Sequence, residues 1–79
     1  MLLVDDDVGS LLASVVERFD DVVAGEAVAR AFTVACREAT SAWEEAHAAG
    51  LNDAGRMESV VAAFEKALKT ELRRLLRTH

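Results

Sequence analysis

Glu44 and His47 stand three residues apart in Glu44-Glu45-Ala46-His47, a spacing that lets a helix bring a carboxylate and an imidazole to one metal ion. The rotation of about 100° per residue that turns Ala42 and Ala46 to the buried side points Glu44 roughly opposite and His47 to the flank. The flanking segments offer no inward Glu to complete a ligand set, so the pair reads as solvated and no metal site is expected. Cys36 is the only thiol. Neither His nor a second Cys lies near it in sequence to supply the base that a nucleophile needs, so it reads as a quiet, part-buried thiol at the edge of an apolar stripe. Asp5-Asp6-Asp7 and Ser59 are further candidates; the first reads as an acidic helix N-cap and the second as a helix-surface hydroxyl. No catalytic residue and no cofactor site are expected, and the chain reads as non-enzymatic.

Three amphipathic stripes must position these groups. Val8, Leu11, Leu12, Val15, Val16, Phe19, Val22 and Val23 recur at spacings of three and four and predict a helix over 7–23, with Gly25 as its stop. Val28, Ala31, Phe32, Ala35, Ala39, Ala42, Trp43 and Ala46 predict a second over 26–49, whose alanines let a neighbour approach closely. Gly50-Leu51-Asn52-Asp53 reads as a glycine-terminated helix followed by a new cap, and Met57, Val60, Val61, Phe64, Leu68, Leu72, Leu75 and Leu76 predict a third over 53–77. Short connections favour antiparallel neighbours, so the expected fold is all-α, an antiparallel three-helix bundle forming one domain over 1–79. One local conflict stands out: Asp20 and Asp21 fall at the C-terminal end of the first stripe, where the helix dipole disfavours acids. Arg73, Arg74 and Arg77, at the same end of such a bundle, are expected to offset them.

Four short stretches resemble known families. Leu2-Leu3-Val4-Asp5-Asp6-Asp7, with Leu11-Leu12 and Phe19 after it, resembles the first strand, acidic pair and first helix of response-regulator receiver domains, which implies a magnesium site at the paired acids. It stops there, because Asp53 follows Ala-His-Ala-Ala-Gly-Leu-Asn rather than the apolar strand that carries a phosphoacceptor. Glu58-Ser59-Val60 is similar to the attachment triplet of acyl carrier proteins, but one continuous helix, not several, follows Ser59. The Glu44–His47 spacing resembles that of ferritin-like metal proteins. Trp43 ahead of a helix–helix turn resembles the WXG family of secreted helical hairpins, although Glu45 stands where that motif has glycine. These give the alternative readings, a metal- or ligand-binding helical protein or a WXG-like secreted hairpin.

Composition narrows the classes further. Of 79 residues, 52% are hydrophobic and 29% charged, which suits a globular chain rather than a disordered one. The net charge of −5 argues against nucleic acid, whose binding draws on counterions displaced by a basic surface, and against an anionic membrane. No apolar run approaches the roughly 20 residues of a membrane span, and Met1–Val4 is too short for a secretory signal. The lone Cys36 suits a reducing compartment, and a cytoplasmic protein is expected.

Unequal lengths point to a partner. A first helix of about 17 residues runs about 25 Å and cannot cover two helices of about 36 Å. Joined to the second at Gly25, it covers the end away from the Gly50–Gly55 turn and leaves Trp43, Ala46, Met57, Val60 and Val61 short of a third neighbour. Met1–Val4 is a poor lid and a core this small is marginal alone. The expected function is therefore a protein–protein interaction or oligomerisation module, a homodimer packed around Trp43.

Overall fold

A computed structural model of the chain describes residues 7–77. These form three helices: α1 (Val8–Arg18), α2 (Asp21–Ala48) and α3 (Asp53–Arg77). No strand occurs among the described residues. The fold is the all-α three-helix arrangement that the stripes predict. α2 and α3 make an antiparallel hairpin, and α1 packs chiefly on α3 and little on α2. We call the Gly50–Gly55 end of the hairpin its tip and the opposite end its base.

Each start is set by a side-chain cap. Asp7 Oδ1 accepts from the Ser10 N–H at 2.8 Å, Asp20 Oδ1 from Val23 at 2.9 Å, and Asn52 Oδ1 from Gly55 at 2.8 Å. The tip turn is equally specific. Gly50 has φ 79°, its N–H donates to the His47 carbonyl, and the Leu51 N–H donates to the Ala46 carbonyl, which together close the last turn of α2 as a Schellman motif.

The first boundary departs from the sequence expectation. The helix expected over 7–23 ends at Arg18, and Phe19 and Asp20 are extended before α2 begins at Asp21. Val22 and Val23 belong to α2, and Gly25 lies inside that helix rather than stopping the first. The physical reason is the pair of acids. At the end of α1 they would oppose the dipole, whereas at the start of α2 Asp20 caps and Asp21 complements it. The charge conflict is thereby removed. Asp20 serves Val23, Arg74 pairs with Glu71 at 3.2 Å, and Arg18 donates to the Leu76 carbonyl across the base.

The core follows from which helices are long. Leu11, Val15, Ala24, Ala31, Ala35, Leu68 and Leu72 form one buried cluster, flanked by Val28, Phe64, Leu75 and Leu76. Small alanines of α2 face large residues of α3, so the two backbones approach closely and interdigitate. Phe32 and Phe64 meet at 5.8 Å between ring centroids, inclined by 52°. With 11 residues, α1 runs about 17 Å beside an α2 of 28 residues and about 42 Å. The cluster therefore runs from the base to the middle of the hairpin, which it reaches at Ala35, and among the described residues Ala46 is the only buried position nearer the tip. The molecule is a slab, 43 × 34 × 17 Å, with a radius of gyration of 14.6 Å against about 11.6 Å for a compact chain of this length.

Candidate functional site

The tip half places four large apolar side chains in solvent, Leu51 in the turn itself and three on the helices. Trp43 is 41% exposed, Met57 56% and Val61 53%. Each follows a position that faces the neighbouring helix, and because α2 and α3 run antiparallel, the residue after such a position turns to the same broad face of the hairpin on both. Val60 is half-buried between them, and Ala46 is buried beneath and holds the tip together rather than offering surface. Met57 and Val61 line a shallow open groove on α3 with Ala54, Ala62 and the stems of Glu58 and Glu65. Of the five residues singled out from sequence, three are exposed on this surface, Val60 lies half-buried between them, and Ala46 is buried beneath. Met1–Val4, the other cover considered, lies outside the described residues.

Arg56 fixes the geometry of Trp43. Its guanidinium stacks over the indole at 4.9 Å from the ring centroid, pairs with Asp53, and lies 2.8 Å from His47 Nδ1. Since Arg has no acceptor, Nδ1 accepts here, which assigns the proton of neutral His47 to Nε2. The Arg56 Nε is buried without a hydrogen-bond partner. One face of Trp43 is thus covered within the chain, which lowers the ordering cost of any contact made by the remainder. Sequence reasoning missed Arg56. The available signal was its place near the start of α3, across the tip turn from the last turns of α2 that carry Trp43 and His47.

The other chemically capable groups are scattered. Glu44 is exposed, and His47, also exposed, already faces a guanidinium, so a cation there would meet a fixed positive charge. Among the described residues no three His, Cys, Asp or Glu side chains come together as a metal-holding group. Cys36 is exposed rather than part-buried, because the alanine seam of α2 is narrow and Cys36 falls just outside it. Ser59 is half-buried within α3. Asp7 caps α1, and the remainder of the acidic run lies outside the described residues. Among the described residues no helix is long and apolar enough to cross a membrane.

The chain matches no protein-family model, and no curated protein or solved structure shows significant similarity to it.

Proposed function

We propose that this chain is a non-enzymatic oligomerisation module in which a second copy covers the tip surface around Trp43, Met57 and Val61. The observation that carries the reading is the exposure of Trp43, Met57 and Val61 on the part of the hairpin that α1 is too short to reach, beyond the buried core that α1 shares with α2 and α3. A patch of this kind on a small domain marks an interaction surface. A two-fold axis through it lets each Trp43 and Val61 serve both copies, so a self-complementary contact needs no further element. An interface of ordinary size takes about 800 Å² from each partner, about one-seventh of the 5590 Å² that the chain exposes. A chain of this size is also marginal on its core alone, which favours association. The single free thiol suits work in a reducing compartment such as the cytoplasm.

Light scattering over a concentration series tests the reading on the wild type and on a Trp43→Ser, Val61→Ser double variant. The wild type is expected to double in mass within the low micromolar range and the variant to stay monomeric over that range. A wild type that remains monomeric at high micromolar concentration overturns the dimer.

A further inference from the structure

The break between α1 and α2 lies in a sequence that reads as unbroken helix. Phe19 (φ −114°, ψ 155°) and Asp20 (φ −70°, ψ 168°) are extended, yet neither is glycine and the chain contains no proline. Val15, Val16, Phe19, Val22 and Val23 keep helical spacing straight across them. Folded back, the segment leaves Val16 57% and Val22 71% exposed, and Val23 42%. What holds α1 is mostly α3: Leu11 and Val15 join Leu68 and Leu72 in the core, and Arg18 donates to the Leu76 carbonyl, whereas contact with α2 is slight. The angle between α1 and α2 is held chiefly by Phe19, half-buried against the core, and by the Asp20 cap, and every contact α1 makes with α3 is one that the α1 of another copy makes equally well.

We propose that Phe19–Asp20 is a hinge across which two copies of this chain exchange α1. In the exchanged dimer each α1 continues its own α2 as one helix over residues 8–48 and packs on the α3 of the other copy. The direction of packing agrees. Arg18 lies by Leu76 at the base, and Leu11 and Ser14 share a groove with Thr70 and Arg73, nearer the tip. An α1 extended beyond one base enters a second copy base first, with Arg18 at its base and Leu11 deeper, the orientation already present within one chain. Opening loses the Asp20 cap on Val23 and gains the backbone hydrogen bonds of a continuous helix. It also places Val16, Phe19, Val22 and Val23 at the junction between copies, which gives the exposed valines a covering.

This exchange is independent of the tip surface, so it is tested with that surface disabled, in the full chain carrying Trp43→Ser and Val61→Ser. Spin labels are placed on the native Cys36 and on an exposed Ala13→Cys, the labelled chain is diluted with unlabelled chain, and the mixture is refolded at high micromolar concentration. Dipolar electron paramagnetic resonance then reads the distance within one chain. Folded back, the two positions are offset by only about 15 Å along the helix axes, and along a continuous helix they lie about 34 Å apart. A long-distance population is expected, larger in Asp20→Ala, which removes the cap. It is expected to vanish in Asp21→Pro, because proline is accepted at the first position of α2 but breaks a continuous helix. Finding only the short distance in both the parent and Asp20→Ala, or a long distance that survives Asp21→Pro, overturns the exchange.

Discussion

Replacing Arg56 with Met tests how the tip is held, because the terms are large individually and oppose one another. The guanidinium over Trp43 contributes about 0.5–1 kcal/mol at a site open to water. Its hydrogen bond to His47 adds about 0.5–1.5 kcal/mol. The pair with Asp53 adds at most a few tenths of a kcal/mol, since the Asp53 side chain is 91% exposed. Against these stands the buried Nε, which has no partner and costs about 1–3 kcal/mol. Methionine keeps an apolar stem against the indole and introduces no buried donor. The sum is close to zero, so Arg56→Met is expected to change the unfolding free energy by less than about 1 kcal/mol in either direction. Urea titration followed by circular dichroism, at a concentration where each variant is monomeric, reads the difference. A loss of more than about 2 kcal/mol would refute the reasoning and show that the Arg56 contacts outweigh its orphaned nitrogen.

Three further outcomes follow from the same geometry. Gly50→Ala forces a Cβ into a left-handed turn at φ 79° and is expected to lower stability by about 1 kcal/mol in thermal or urea unfolding. Leu72→Ala removes a fully buried side chain and is expected to cost about 2–5 kcal/mol, a large share of the total for a domain this small, so circular dichroism should show a partly or wholly unfolded chain. The tip carries Glu44, Glu45, Asp53 and Glu58 against Arg56, so two copies meeting there bring like charges together. Added salt should therefore tighten the dimer in sedimentation equilibrium, and weakening by salt would contradict the arrangement.

The tip was legible from sequence because its signals are local and specific. Gly50 and Asn52 mark the turn by backbone conformation and cap chemistry, and the helix expected over 53–77 has the bounds of α3. The surplus length of the second and third helices over the first likewise left Trp43, Met57 and Val61 exposed, as the structure places them. The break at Phe19–Asp20 was obscured because apolar spacing runs through it, and spacing alone carries no information about where one helix yields to the next. The clue was electrostatic: two acids misplaced at a helix end are well placed at a helix start. Gly25 misled for the opposite reason, since a glycine inside a helix looks like a stop when the true boundary has none. Arg56 escaped notice because its role depends on α2 and α3 lying side by side, which no single stripe encodes.

Trp43 is the only tryptophan of the chain, so its fluorescence reports directly on the surface assigned to the second copy. Each exposed Met57 and Val61 side chain has about 1 kcal/mol of burial left to gain, and Trp43 at least as much. Counted twice across a two-fold axis, the Trp43 and Val61 pairs supply about 4 kcal/mol, or roughly a thousandfold in dissociation constant. The decisive measurement is acrylamide quenching and emission wavelength of Trp43 over a dilution series, recorded beside the molecular mass. The predicted result is a blue shift and reduced quenching that rise with the same midpoint as the mass. A dimer that forms while Trp43 stays as accessible as in the monomer would contradict the claim.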